Sequence, residues 1–506
     1  MPTITEGVVL KALLHLFTVA VVIANGSLFG QSLAEQIMDA DEKQFVVLFP
    51  KLKEHAEQAV PVLTSEIERK LPSDANDDDK EKLAKRQANA AVALLGLGRN
   101  EKVWPLLKHS PDPRVRSYLI HRMAPLGVNP NTIIKRLNDE PDITIRRALL
   151  LSLGEFDEQV ISLEDRKKLL PRLHEMYRTD PDPGLHAASE WLLREWDDKS
   201  WLKQFNEEWA KNKEQREMRL DRIEKSLATA KAPPQWYVNG QGQTMVVIPG
   251  PVEFTMGSPV KEKGRRLRET LHRRRISRTF ALSAKLVTVE QYLDFDPEHK
   301  LLEKLNWTAD LPVVKTSWYN AAEYCNWLSK QEGIPEDQWC FEITDADIKS
   351  KDNYLSLIGY RLPTEAEMEY ATRAGAITAR YYGETHELLP MYAWWVWNSQ
   401  KRPWPVGSLK PNDFGLFDTL GNAYTWCQDS GRDYPIGDDE DATEDKEDDL
   451  SDRWEDRRAL RGDSYLEDSS SIRSAFRNRD EPITSVVSVG FRLARTIKPL
   501  PSATNK

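Results

Sequence analysis

The sequence predicts a protein of two domains, an all-α domain of helical repeats followed by an α+β domain. The chain has 506 residues, which is too long for one hydrophobic core. Between about residues 35 and 200, apolar residues recur at i, i+3, i+4 and i+7, the period of an amphipathic helix. After Pro234 the composition changes to aromatic residues, glycine and proline between short strands, which indicates a second domain of another class.

The composition is that of globular domains and argues against some functions. Hydrophobic residues make up 40% of the sequence and charged residues 30%. The net charge of -10 argues against nucleic-acid binding, because phosphate neutralisation needs a basic surface. The three cysteines, Cys325, Cys340 and Cys427, lack the spacing of a zinc ribbon or a thioredoxin-like site, and they allow one disulfide at most.

Residues 1–34 are interpreted as a signal peptide or an N-terminal apolar segment. The apolar run from Ala12 to Ala24 is shorter than the roughly 20 residues that span a bilayer, so no stable membrane span is expected. Lys11 precedes this run, and Ser32 and Ala34 follow it at the spacing of a cleavage site. The sequence therefore predicts export to the periplasm or the extracellular space. The alternative is a buried first helix of the helical domain.

Residues 35–200 are predicted to form the helical repeats. Three of the amphipathic segments follow a short Pro-Asp motif, and these motifs start at Pro111, Pro141 and Pro181. Steps of 30 and 40 residues between these starts suit helix-pair repeats, in which Pro and Asp open a helix. This pattern resembles the HEAT-repeat family, which implies a curved scaffold for a partner. An irregular helical bundle packed on the next domain is the alternative.

Residues 201–235 are predicted to be a charged helix and a linker that ends at Pro233-Pro234. The domain after it, residues 236–498, carries motifs in a fixed order, and residues 499–506 form a tail. The motifs are a strand pair over Met245–Ser258, Ser317-Trp318 with a helix over 321–328, Arg361-Leu-Pro-Thr-Glu-Ala-Glu, Gly421-Asn422 with Trp426, Arg461-Gly-Asp-Ser-Tyr465 and Gly490-Phe-Arg-Leu493. Thr364 and Glu367 form a capping-box pattern that predicts a helix through Arg373.

In that order these motifs resemble the formylglycine-generating enzyme family, also called sulfatase-modifying factor. The resemblance implies one α+β domain with a C-type-lectin-like topology and little regular secondary structure. In active members, two cysteines bind copper(I) and activate oxygen, which oxidises a substrate cysteine to formylglycine. Here the corresponding positions fall on Glu467 and Ser469. Because copper(I) needs soft thiolate ligands, we expect neither copper nor the family's oxidase activity, and we assign no catalytic residue.

Other residues match the family's substrate groove better. Ser464 and Arg477 stand at positions that line the groove, and Tyr424 replaces an expected tryptophan. Together with Glu467 and Ser469 they form the predicted ligand groove, which could hold a peptide or a small anion. In the alternative interpretation, Arg477 and Arg479 only form ion pairs, with Asp480, Glu481 or Asp463 as partners.

The resemblance also implies a structural calcium site. Its candidate ligands here are Asp418, Gly421 and Ala423, but the family's bidentate carboxylate is replaced by Thr425. No other cofactor is expected. Two charge runs, an acidic one from Asp438 to Asp449 and one rich in arginine from Arg265 to Arg278, are interpreted as loops that could face one another.

The sequence thus favours a catalytically degenerate, exported binding or scaffold protein with a protein or peptide partner. One alternative is an oxidoreductase of the same family with an unrecognised metal site. Another is an accessory factor for exported sulfatases.

Overall fold

The computed structural model describes residues 29–227, 232–299, 307–344, 347–434, 441–446 and 457–498. The chain divides into two compact units, Met1–Leu163 and Glu164–Lys506. In the described residues no helix is long and apolar enough to cross a membrane. The apolar run at residues 12–24, on which the prediction of export rests, lies outside the described residues.

The first unit is built from helices. They are α1 (29–38), α2 (Glu42–Glu54), α3 (Ala56–Glu68), α4 (Asp77–Gly96), α5 (Arg114–Arg122), α6 (Pro130–Asp139) and α7 (Ile143–Leu153). Helix α4 packs against α3 and α5, and small side chains such as Ala84, Ala88 and Ala91 on its buried side permit close helix contacts. The predicted all-α class of the N-terminal region is confirmed.

The Pro-Asp motifs stand where helices begin. The Asp142 carboxylate caps α7 by accepting hydrogen bonds from the backbone N–H groups of Thr144 and Ile145 at 2.9 and 3.4 Å. Asp182 accepts in the same way from Leu185 N at 2.7 Å. Proline and aspartate therefore open these helices as the sequence predicts. The assignment to HEAT repeats stays a prediction.

The second unit begins with four helices and continues into sheets. Its helices are α8 (Leu163–Thr179), α9 (Pro183–Glu195), α10 (Lys199–Lys211), α11 (Lys213–Ser226), α12 (Val289–Leu293), α13 (Trp318–Gln331) and α14 (Glu365–Arg373). Its strands are β1 (Gln235–Val238), β2 (Thr244–Ile248), β3 (Val252–Met256), β4 (His272–Ile276), β5 (Phe280–Ser283), β6 (Phe341–Ile343), β7 (Ile348–Ser350), β8 (Tyr360–Arg361), β9 (Tyr424–Ser430), β10 (Thr443–Glu444), β11 (Arg458–Arg461), β12 (Arg477–Asp480), β13 (Val489–Gly490) and β14 (Ala494–Thr496).

The strands form small sheets. A five-stranded antiparallel sheet has the order β1-β2-β5-β14-β8, and a four-stranded sheet has the order β12-β11-β9-β13. Two further sheets are β10-β4-β3 and β6-β7. Short strands and long connections make this an α+β domain with little regular structure. The predicted class of the C-terminal domain is confirmed.

Helices α9 to α11 pack on the first strand of the sheet domain. The ring of Trp236 on β1 stacks on His186 of α9 at 3.6 Å and on Trp209 of α10 at 5.3 Å. The Arg219 guanidinium of α11 lies 3.6 Å from the centroid of the Trp236 ring. The division between compact units therefore falls after Leu163, whereas the composition changes near residue 235. The domain limits drawn from the sequence stay a prediction.

The two charge runs meet over the residues that the structure describes. Strand β10 pairs in parallel with β4. Glu444 lies 3.7 Å from Arg275, and the buried Asp445 binds Arg274 at 3.1 Å and Arg278 at 2.5 Å. The runs therefore face one another at residues 441–446. The interpretation of both runs as loops is wrong for β4 and β10, where the backbones pair as strands.

The cap of α7 yields a first testable prediction. Burial alone would raise the pKa of Asp142, but hydrogen bonds from Thr144 and Lys108 lower this pKa to about 2. We expect Asp142→Ala to lower the free energy of unfolding of the first unit by about 1 kcal/mol at pH 7. Because the folded-state pKa lies below the unfolded one, this stability should be lost as the pH falls from about 4 to about 2.

Urea unfolding followed by circular dichroism over that pH range is the measurement. Asp142→Asn, which keeps the acceptor oxygen, is the control and should lose less stability than Asp142→Ala at pH 7. Equal losses in both variants would contradict the capping role.

Candidate functional site

The predicted groove residues lie at one end of the four-stranded sheet. Strands β9 and β11 are antiparallel, and Arg461 at the end of β11 pairs with Thr425 at the start of β9. The residues that follow Arg461 therefore lie beside Tyr424. Asp463 turns the chain there with a left-handed backbone, at φ 62°.

Tyr424, Asp463 and Glu467 form a cluster. The Tyr424 hydroxyl donates to Asp463 Oδ1 at 3.4 Å and also interacts with Glu467 and Asn478. Asp463 is 0% exposed, and its second carboxylate oxygen, Oδ2, has no hydrogen-bond partner among the residues that the structure describes. Burial and the negative charge of Glu467 raise the pKa of Asp463 well above its usual range. Burial and the same two acids raise the pKa of Tyr424. This end of the sheet is thus an acidic site.

The two serines of the predicted groove hold the loop in place. The buried Ser464 accepts a hydrogen bond from Leu466 N through Oγ at 3.3 Å and from Glu467 N through its carbonyl at 3.2 Å. The carbonyl of Ser469 accepts from Arg380 Nη2 at 2.7 Å. Ser464 therefore fixes the turn that carries Glu467.

Arg477 forms a buried ion pair. It is 4% exposed, and its guanidinium binds the Glu365 carboxylate through Nε at 2.9 Å and Nη2 at 2.5 Å. The Tyr434 ring lies 3.8 Å from its Cζ. Arg477 therefore has the Glu365 carboxylate as its bidentate partner, and its place in a ligand groove stays a prediction. The alternative interpretation named the wrong partners for it, because Asp480, Glu481 and Asp463 are not those that the structure shows. Glu365 is 112 residues away in sequence.

The three thiols lie inside the domain. Cys325 and Cys340 belong to one buried cluster with α13, and Cys427 lies on β9 in another. Burial raises the pKa of each thiol, that of Cys340 to about 12. Thiols in this state are poor nucleophiles and poor metal ligands.

The candidate calcium residues lie in a tight turn. The buried Asp418 accepts from Gly407 N at 2.8 Å through Oδ2 and from Asn422 Nδ2 at 3.3 Å through Oδ1. Gly421 has φ 76°, and a Cβ there would meet the Trp394 carbonyl oxygen at 2.3 Å, so this position requires glycine. Ala423 packs in a small hydrophobic cluster. Among the described residues, no group of three or more His, Cys, Asp or Glu is placed to hold a metal ion. Calcium binding stays a prediction.

An aromatic segment that the sequence analysis did not single out borders the acidic site. Val396 N donates to the Glu467 carbonyl at 3.1 Å, and Ser399 Oγ donates to the Tyr465 carbonyl at 2.9 Å. Trp397, which follows Val396 in the sequence, is 80% exposed, and Leu466 is also exposed. The run Trp394-Trp-Val-Trp397 was the available signal, but sequence alone does not separate core tryptophans from exposed ones.

A cavity of about 520 Å³ in the second unit lies elsewhere. Residues of α10, the turn between β1 and β2, and the chain after β5 line it, including Lys203, Gln241 and Lys285. No predicted groove residue lines this cavity. This cavity therefore does not coincide with the site that the sequence motifs predict.

The Arg477–Glu365 pair yields a second prediction. Arg477→Met leaves the buried carboxylate of Glu365 without its bidentate partner, so we expect a loss of about 3 to 5 kcal/mol in the free energy of unfolding. Arg479→Met, on the same strand but partly exposed and 4.0 Å from Asp433, should cost less than about 1 kcal/mol. Equilibrium unfolding in urea compares the two. Similar small losses of unfolding free energy in both variants would contradict a stabilising role for the Arg477–Glu365 ion pair.

The buried acid yields a third prediction. Because the folded-state pKa of Asp463 is raised, the protein should lose stability as the pH rises above about 4, by about 1.4 kcal/mol for each unit of pKa shift. Asp463→Asn keeps the shape and tolerates a left-handed backbone. We expect this variant to match the wild type near pH 4 and to be more stable at pH 7. Thermal unfolding at both pH values is the measurement, with Glu481→Gln as control. A difference in stability between Asp463→Asn and the wild type that is the same at both pH values would refute the raised pKa of Asp463.

Comparisons with known proteins bear on the whole site. Residues 230–497 match the family model described as "Sulfatase-modifying factor enzyme 1-like domain". The chain is 32% identical over 142 residues to "Chaperone protein LppX" of Paenibacillus barcinonensis, over 23% of this chain and 51% of that protein. It is 32% identical over 199 residues to the formylglycine-generating enzyme of Streptomyces coelicolor, over 36% of this chain and 52% of that enzyme. The chain thus spans about half the length of these curated relatives.

Two solved structures are similar to part of this chain. Treponema denticola variable protein 1 is 25% identical with a TM-score of 0.42, over 52% of this chain and 99% of that one. PvdO from Pseudomonas aeruginosa is 26% identical with a TM-score of 0.43, over 53% and 100%. Since the family model matches more than half of the chain, the protein belongs to the sulfatase-modifying factor family, the family of the formylglycine-generating enzyme.

Proposed function

We propose that this chain is a catalytically degenerate member of its family, a binding module that holds a protein or peptide partner and does not oxidise cysteine. The observation that carries the proposal is the acidic cluster of Tyr424, Asp463 and Glu467. It occupies the end of the sheet at which the motif order places the family's copper ligands. Carboxylates and a phenol are hard ligands, and copper(I) prefers soft thiolates.

The buried thiols support the same proposal. Cys427 belongs to a different hydrophobic cluster from Cys325 and Cys340. Copper(I) binding by thiolates at this groove would need two cysteines to leave the core and lose their protons. The raised pKa values of all three oppose that step.

The surface beside the cluster supports binding. Exposed Leu466 precedes Glu467, and exposed Trp397 follows Val396, whose N–H binds the Glu467 carbonyl. An exposed aromatic residue beside buried polar groups is typical of peptide-binding surfaces. The helical first unit would supply a second contact surface, which makes the whole chain a scaffold. Export, proposed from the apolar run at residues 12–24, would place this scaffold outside the cytoplasm.

The fourth prediction tests the absence of oxidase chemistry. The purified full chain, incubated with a sulfatase-type cysteine peptide, copper(I) and oxygen, should form no aldehyde above the level of peptide alone. Mass spectrometry of the peptide is the measurement, and an active formylglycine-generating enzyme is the positive control. Aldehyde formation that Cys427→Ala or Cys340→Ala abolishes would show an enzyme with an unrecognised metal site.

A gain-of-ligand variant completes this test. The double variant E467C/S469C restores two thiols at the positions that the motif order assigns to the copper ligands. We expect it to bind copper(I) in a competition assay with a chromophoric chelator, whereas the wild type should not. The matched variant E481C/S485C places two thiols on another loop and should bind copper(I) no better than the wild type.

A further inference from the structure

We propose that the acidic cluster binds an organic cation, the ammonium or guanidinium group of a basic side chain in a peptide. This inference rests on the proposed binding function and adds the chemical class of the ligand. It depends on three observations: a buried acceptor without a donor, an excess of negative charge, and an exposed aromatic residue next to it.

The first observation is the free oxygen of Asp463. A buried polar atom without a partner costs stability, and most such atoms in folded proteins are hydrogen-bonded. Within the described ranges of the chain, Asp463 Oδ2 has no hydrogen-bond partner although the residue is fully buried. Among the described residues, the donor on this carboxylate is the Tyr424 hydroxyl, which binds the other oxygen at 3.4 Å. A ligand donor that reaches Oδ2 would complete the hydrogen bonding of this group.

The second observation is the charge around that oxygen. Glu467 adds a negative charge to the cluster, and Asp463 gains one when it ionises. The cations that act on Asp463 are Arg473 and Arg266, and both are bound elsewhere. Arg473 binds Glu262 at 2.5 Å and Glu269 at 2.8 Å, and Arg266 lies 4.3 Å from the Phe476 ring. In the part of the chain that the structure describes, neither acid of the cluster forms a salt bridge. The site therefore attracts a cation and repels the small anion that the sequence analysis considered.

The third observation separates an organic cation from a metal ion. Calcium needs six to eight oxygen ligands, and the described residues contain no group of three or more acids, histidines or cysteines placed to hold a metal. An ammonium or guanidinium group needs only a few acceptors and gains from an aromatic face. Tyr424 belongs to the cluster, and exposed Trp397 follows the residue whose N–H binds the Glu467 carbonyl.

The electrostatics of Asp463 agree with this assignment. The raised pKa of Asp463 favours its neutral form when no cation is bound, and the facing groups are Glu467, Tyr424, Arg473 and Arg266. A bound cation would favour the ionised carboxylate. Binding should therefore release protons, and the affinity should increase as the pH rises.

The experiment uses the full chain and three acetylated, amidated pentapeptides that differ only at the central residue, which is lysine, arginine or norleucine. Isothermal titration calorimetry measures binding at pH 6 and pH 8. We expect at least one basic peptide to bind at least tenfold more tightly than the norleucine peptide, and more tightly at pH 8. Equal affinity for all three peptides would overturn the inference.

Variants locate the site. Asp463→Asn and Glu467→Gln should each weaken binding of the basic peptide at least tenfold, and Trp397→Ala should weaken it severalfold. Glu481→Gln, an exposed acid outside the cluster, should bind like the wild type. Asp463→Asn is expected to fold at least as stably as the wild type at pH 7, so a loss of binding does not reflect unfolding. Unchanged affinity in both acid variants would overturn the inference.

A last arm separates a peptide from a small amine. Methylammonium alone should bind more weakly than the basic peptide, and equal affinity would overturn the assignment to a peptide. Aldehyde formation in the oxidase assay would refute the proposed function itself. Absence of aldehyde together with no preference for the basic peptides would refute only this inference.

Discussion

Helix α14 supplies the interaction on which the second unit depends. Its nine residues, Glu365–Arg373, carry three glutamates, and all three side chains are buried. Each binds an arginine of a different strand: Glu365 binds Arg477 of β12, Glu367 binds Arg361 of β8, and Glu369 binds Arg461 of β11. A buried carboxylate without its partner costs several kcal/mol, so the helix and these strands are stable only together. Burial would raise the pKa of Glu367, but Arg278 and Arg361 lower it to about 2.

This arrangement explains how a domain with short strands stays ordered. Short strands leave many backbone carbonyls without a ladder partner, and those carbonyls need other donors when they are buried. Arginine side chains supply some of them. The fully buried Arg492 donates to the carbonyls of Ser283, Ala284 and Phe417. The Gly-Phe-Arg motif is therefore structural here, because its guanidinium takes the place of a missing strand.

Short sequence patterns predicted the helix starts, because helix capping depends on residues that are close in sequence. The helix after Thr364 follows from a cap and its partner three residues apart, and the helices after Asp142 and Asp182 follow from similar signals. The motif order also led to Ser464, Glu467 and Tyr424, which the structure places at one end of a sheet. The partner of Arg477 could not be predicted, because Glu365 is distant in sequence and several acids lie nearer. Asp463 was considered only as an ion-pair partner, since a sequence does not show which acid is buried without a donor.

The ring of Trp236 has a consequence for the extent of the folding unit. It is fully buried between β1 and the helices that precede the matched family region, where His186, Trp209 and Arg219 surround it. Burial lowers the pKa of His186 to about 3, so the imidazole that stacks on Trp236 stays uncharged at neutral pH. A fragment that begins at residue 230 would expose this indole and its neighbours on β1 to water, and an exposed hydrophobic patch of this kind favours aggregation. Three helices outside the matched region therefore enclose a ring of the family domain, and residues 230–497 alone lack this part of the packing of β1.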